Sequence, residues 1–128
     1  MTGASYPADL SYHAAHGWAR IEGGLATFGI TWYAQDQLGE VVFFDPPDPG
    51  AQVVAGEAYA EVESLKAVSE VIAPLSGEVI EVNPAAGSSP EKINDDPYGE
   101  GWLVRVRLAS SPGEGELLDA DAYLASLS

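Results

Sequence analysis

The chain has 128 residues, 46% of them hydrophobic, so a single domain with a proper core is expected and wholesale disorder is not. Five basic residues stand against 20 acidic ones, a net charge of −15, which argues against a nucleic-acid backbone or an anionic membrane surface as partner. Cysteine is absent, which excludes a disulfide framework, cysteine-ligated zinc and a cysteine nucleophile.

Residues 1–12 read as a loose lead-in. Trp18, Arg20 and Glu22 then alternate with Ala19 and Ile21, a Gly23-Gly24 turn follows, and a second alternating run extends to Ile30. This pattern predicts a hairpin. TWYAQDQLG predicts a short helix near 31–38, with Thr31 as N-cap and Gly39 just past its end. A strand over 40–44 is stopped by the proline-rich segment that starts at Asp45. Its apolar core, Val41-Val42-Phe43-Phe44, is too short to span a bilayer. The first residues carry no signal-peptide pattern, so a cytoplasmic location is expected. VVAGEAYAEVE (53–63) and PLSGEVIEVN (74–83) resemble each other, each with a Gly-Glu turn before an alternating strand. Gly56 and Gly77 flank Lys66 almost evenly, so two like β units surround a central turn, as in a flattened barrel or sandwich. A polar loop runs from Pro84, with one helical turn possible at Ser89-Pro90. Residues 102–108 alternate again, with Arg105 and Arg107 on the polar face. The pattern over 117–127 predicts a C-terminal helix capped by Asp119.

The chain has two lysines, Lys66 and Lys92. Lys92 lies in the polar loop and reads as solvated. Lys66 lies in EVE-SLKAVSE, at the tip between two alternating strands and among the small residues Ser64, Ala67 and Ser69. A turn tip carries a side chain away from the sheet, which suits a lysine that another enzyme must reach and acylate. Glu61, Glu63 and Glu70 surround it, so its ammonium is expected to be solvated and paired. That differs from the buried lysine of a Schiff-base enzyme. His13 and His16 lack a third ligand for zinc, and Asn94-Asp95-Asp96 reads as a turn because no calcium loop follows it. No phosphate loop or Ser–His–Asp set is present.

GITWYAQDQLGEVVF, GEAYAEVESLKAVSEVIAPLSGEVIEVN, NDDPYGEGWLVRV and LLDADAY together resemble the H protein family of the glycine cleavage system. The resemblance covers the chain from about Tyr12 to Leu127. It implies a mainly β barrel-sandwich hybrid of the lipoyl- and biotinyl-carrier kind, one carrier domain over 1–128, with antiparallel strands, a short internal helix and a C-terminal helix. It implies a carrier and not an enzyme, with lipoic acid in amide linkage on Lys66. Biotin carriers usually have Met on both sides of their lysine; here Leu65 and Ala67 favour lipoyl. The arm would extend about 14 Å, some ten bonds beyond Cα.

The implied partners are the pyridoxal-phosphate glycine decarboxylase (P protein), the tetrahydrofolate-dependent aminomethyltransferase (T protein), dihydrolipoyl dehydrogenase (L protein), and a lipoate ligase or octanoyltransferase. Glu63, Ser64, Ala67, Glu70 and His16 are the residues expected to line an arm cleft or serve recognition. His16 and Trp18 match the family's H-E-W element, but Gly17 stands where its glutamate would be. Trp32 stands where an acidic residue usually follows G-I-T. Both departures are expected near the cleft. The alternatives are an H-like lipoyl carrier that serves sulfur oxidation or lipoyl relay, and a β-rich interaction module without cofactor.

Overall fold

The computed structural model describes residues 6–109 and 117–127. Strands β1 (Ser11–His13), β2 (Gly17–Glu22) and β3 (Leu25–Ile30) lead into helix α1 (Trp32–Leu38). β4 (Val41–Asp45), β5 (Gln52–Val53), β6 (Ala58–Ser64), β7 (Val68–Ile72) and β8 (Gly77–Val82) follow. Then come α2 (Pro84–Ser88), α3 (Glu91–Asp95), β9 (Val104–Leu108), β10 (Leu117–Leu118) and α4 (Ala120–Ser126). All pairings among these strands are antiparallel.

A seven-stranded sheet runs β10-β1-β2-β3-β9-β8-β5, and a three-stranded sheet runs β4-β6-β7. Inward residues of both sheets share one core, in which Phe28, Val62, Val79, Leu103, Val104 and Val106 are fully buried. Each such side chain contributes roughly 1.5–3 kcal/mol of burial. The mainly β barrel-sandwich expected from the sequence is the fold observed. A second cluster gathers Leu10, Tyr12, Trp18, Tyr98 and Tyr123. There Tyr12 stacks on Tyr123 at 5.0 Å, and the Trp18 indole donates to the Pro97 carbonyl at 3.0 Å.

The hairpin over 17–30, the Thr31 cap and the Gly39 stop are found as expected. Thr31 Oγ1 accepts from the Ala34 N–H at 3.2 Å, and Gly39 takes φ 82°, a conformation that suits glycine. Asp119 caps α4 through the Ala122 N–H at 2.8 Å. Other expectations need correction. The lead-in is not loose to residue 12: Leu10 and Tyr12 are buried and Ser11–His13 is a strand. The pattern over 117–127 divides, because Leu117–Leu118 pairs with β1 before the helix begins. Gly56 makes a turn at φ 85°, but Gly77 opens β8 instead, and a Cβ there would collide with the Arg107 backbone. The second glycine therefore serves close strand approach.

The loop from Pro84 holds two helical turns. Asn83 caps the first, with proline at a position that needs no N–H donor. Pro90 is the N-cap residue of the second and lies just outside it. The Asn83 amide also donates to the Glu100 and Trp102 carbonyls, at 2.8 and 2.7 Å. That long-range support is invisible in the local sequence.

Candidate functional site

Lys66 stands on the tight turn between β6 and β7, exposed to solvent. The turn is closed by Ser64. Its N–H donates to the Ala67 carbonyl at 2.8 Å, and its hydroxyl accepts from the Lys66 and Ala67 N–H groups at 3.2 and 3.1 Å. A serine here satisfies turn donors that water would otherwise have to reach. The Leu65 N–H donates to the Glu40 carbonyl at 3.2 Å, so the tip is tied to the segment between α1 and β4. Beside Lys66, Leu65 is 76% exposed and Val68 60%, so both flank the lysine as open apolar surface.

The expected ion pairing of Lys66 is not seen. The three salt bridges among the described residues are Lys92–Glu100, Arg105–Glu81 and Arg107–Glu78. The acids nearby are held by strand register on the outer face of the small sheet, away from the turn. One row across that face is Phe43, Glu63 and Val68; the next is Asp45, Glu61 and Glu70. Three carboxylates side by side repel one another, which is tolerable only in water or against cations. Lys92, expected to be merely solvated, reaches Glu100 at 2.7 Å.

On the other side of β7 lies a cleft of about 310 Å³. Its walls are the edge of β7 from Ala67 to Ile72, the α1 residues Tyr33, Ala34, Gln37 and Leu38, and the chain at His16 and Gly17, with Ile30 and Val62 behind. The lining is mostly apolar. Among the described residues that line it, Glu70 is the one carboxylate, placed at the rim where cleft and outer face meet. Of the residues picked from sequence, the fold brings Ala67, Glu70 and His16 into this cleft. Ser64 works inside the turn, and Glu63 faces outward. Gly17 is at the cleft as expected, but Trp32 is not. It packs in the aromatic cluster, and its backbone N–H donates to the Tyr98 hydroxyl at 2.9 Å.

His16 holds the left-handed conformation at φ 76°, an unusual state for a residue with a Cβ. Its Nδ1 lies 2.7 Å from the Tyr123 hydroxyl, which lies 2.8 Å from Thr31 Oγ1. Burial, and secondarily His13, pushes the His16 pKa below the ordinary histidine value, so the ring is neutral at pH 7. Burial raises the Tyr123 phenol to about 12, so its proton stays on. A consistent chain runs from the Ala34 N–H to Thr31, from the Thr31 hydroxyl to Tyr123, and from the Tyr123 hydroxyl to His16. In this assignment each hydroxyl donates once and the neutral His16 ring carries its proton on Nε2. Sequence reasoning missed Tyr33, Gln37 and Tyr123. The first two lie on the helix predicted near 31–38, where a face toward the lysine turn could have been sought. Tyr123 meets His16 from the far end of the chain and leaves no local signal.

The family profile described as "Glycine cleavage H-protein" matches residues 10–128. The glycine cleavage system H protein of Rubrobacter xylanophilus is 54% identical over 120 residues, covering 94% of this chain and 93% of that one. That of Beutenbergia cavernae is 54% identical over 121 residues, covering 94% and 95%. The crystal structure of a glycine cleavage system H protein from Mycobacterium marinum superposes with a TM-score of 0.87 at 45% identity, covering 94% of this chain and 98% of that one. The chain belongs to the glycine cleavage H-protein family.

Proposed function

We propose that this chain is the carrier subunit of a glycine cleavage system and that Lys66 is its point of lipoic acid attachment. The observation that carries the reading is Lys66 itself, exposed at the apex of a tight turn beside a mostly apolar cleft. An acyl arm on Nζ has room to extend into a partner or to lie along the Ile30, Val62 and Val71 surfaces. Lipoic acid, when bound, supplies the disulfide that takes up the aminomethyl group of glycine.

The chain's own residues then have defined tasks. Ser64 shapes the turn that presents Lys66. Glu70 offers the cleft's carboxylate to a cationic amine. His16, neutral at pH 7, adds no repulsion to such a cation. Gly17 leaves the opposite wall without a charge. The absence of cysteine means that no protein thiol competes with a carried disulfide.

The partners in this reading are the P, T and L proteins of glycine cleavage and a lipoate ligase or octanoyltransferase, and the compartment is the cytoplasm. No helix among the described residues is long and apolar enough to cross a membrane. Service to another lipoyl pathway has no specific observation in its favour, since the relatives named above are glycine cleavage proteins. The test is reconstitution: acylated chain, but not Lys66→Arg, should support glycine–bicarbonate exchange by a glycine decarboxylase. A fully acylated, folded chain inert in that exchange would refute the pathway.

A further inference from the structure

Asn94 sits in α3, in the segment that the sequence presents only as a polar turn. Its side chain grips the connection between α1 and β4 at three points. Nδ2 donates to the Gly39 carbonyl at 2.9 Å and to Gln35 Oε1 at 3.0 Å, and Oδ1 accepts from the Val41 N–H at 2.8 Å. Between Gly39 and Val41 lies Glu40, whose carbonyl receives the Leu65 N–H of the lysine turn. The Lys66 stem also lies on this segment: a Cβ built on Gly39 would stand 3.6 Å from Lys66 Cε. Asn94 is itself on a firm base. The Asp96 carbonyl after the helix accepts from the Gly99 and Gly101 N–H groups at 3.1 and 2.9 Å.

The turn is carried by β6 and β7, and Ser64 lies opposite Val41 in the β4–β6 pairing. The Ser64 bonds set its internal shape, and the Glu40 carbonyl ties its exposed tip to the segment before β4. We propose that Asn94 is a positioning residue for the acylation of Lys66, holding residues 39–41 as the seat on which the lysine turn rests. The proposal rests on Lys66 being the attachment site. In that reaction the Nζ ammonium gives two protons to water, one to free its lone pair and one once that lone pair has formed an N–C bond to the activated carboxyl carbon of the acyl donor. The bond from that carbon to phosphate breaks, and AMP leaves. The docked lysine must meet that carbon closely, and misplacement by an ångström is costly, so kcat suffers when the seat moves while the docking surface and KM do not.

The test uses the full-length apo-chain, lipoate ligase, ATP and lipoate, with mass spectrometry as readout well below the melting temperature. Asn94→Ala should lower kcat by about tenfold or more and leave KM within about twofold. Its Leu65 amide should exchange with solvent about tenfold faster. Ile93→Val loses comparable stability in the same helix without touching residues 39–41, and should match wild type in both readouts. If Asn94→Ala fails to fold, Asn94→Ser takes its place in the same comparison. Wild-type kcat in a folded Asn94 variant, or an equal loss in Ile93→Val, would overturn the proposal. A wild-type chain that takes no acyl group at Lys66 would instead overturn the attachment reading, and this proposal with it.

Discussion

Replacing Tyr123 by Phe removes one oxygen and little else. The ring remains stacked on Tyr12 at 5.0 Å, so the aromatic cluster keeps its packing. The relay loses its middle member, and both Thr31 Oγ1 and His16 Nδ1 lose a partner. Thr31 still caps α1 through the Ala34 N–H, so most of the cost falls on a half-buried imidazole nitrogen. Leaving one such group unsatisfied costs about 1–3 kcal/mol. For a domain of this size, 2 kcal/mol corresponds to a fall in Tm of roughly 8 °C. Both proteins should lose stability in acid. The folded pKa of His16 lies below its ordinary value of 6.5, so the unfolded chain takes up the proton first. Its stabilising contribution is therefore complete above pH 6.5 and declines as the pH falls through 6.5 toward the folded pKa. Burial, the larger cause, and His13 both remain in the variant, so this decline should persist. Calorimetry of both proteins at pH 7.5 and 5.5 measures the two effects. A Tm within about 1 °C of wild type at pH 7.5 would show that the relay holds nothing in place.

Lipoate ligase should add one acyl group, at Lys66 and not at Lys92, and Lys66→Arg should add none, since a guanidinium is no acylation nucleophile at neutral pH; peptide mapping decides. With net charge −15 and a row of carboxylates on the outer face of the small sheet, association with glycine decarboxylase should slow as salt rises, and a flat stopped-flow profile would argue against docking through this face. Tyr59 has a buried hydroxyl with no partner among the described residues. Tyr59→Phe should therefore leave Tm unchanged or raise it by a few degrees, and a clear fall would reveal a hydrogen bond. Gly17→Ala should fold at a cost of about 1 kcal/mol, because its Cβ would come within 3.1 Å of the Ile72 carbonyl. Gly29→Ala, whose Cβ would sit 2.6 Å from the Trp18 ring, should be far worse in the same denaturation series.

Local chemistry explains what could be read in advance. Alternation marked β2, β3, β6 and β9. Side-chain caps marked the starts of α1 and α4, and the lysine turn was legible from its small residues and flanking strands. Pieces joined only by tertiary contact were not legible. The His16–Tyr123 contact unites opposite ends of the chain, and Asn94 serves residues 39–41 from a distant helix. Trp32 was expected at the cleft because it stands where an acidic residue usually follows G-I-T, but the first turn of α1 directs it into the aromatic cluster. The acids around Lys66 looked like partners because they are close in sequence, whereas strand register turns them onto the outer face.

The pairing of β3 with β9 sets Leu25 against Arg107, so the large sheet cannot close until nearly the whole chain is available. The β6–β7 hairpin needs only its own neighbours and closes a very short loop. The contacts of this chain are thus divided between a local set, which closes quickly, and a long-range set, which closes slowly. The lysine turn belongs to the first, whereas α3 and Tyr123, which hold its seat and its cleft, are synthesised after it. A nascent chain can display the lysine before its surroundings exist, so an enzyme that reads the finished seat also reads whether the carrier has folded.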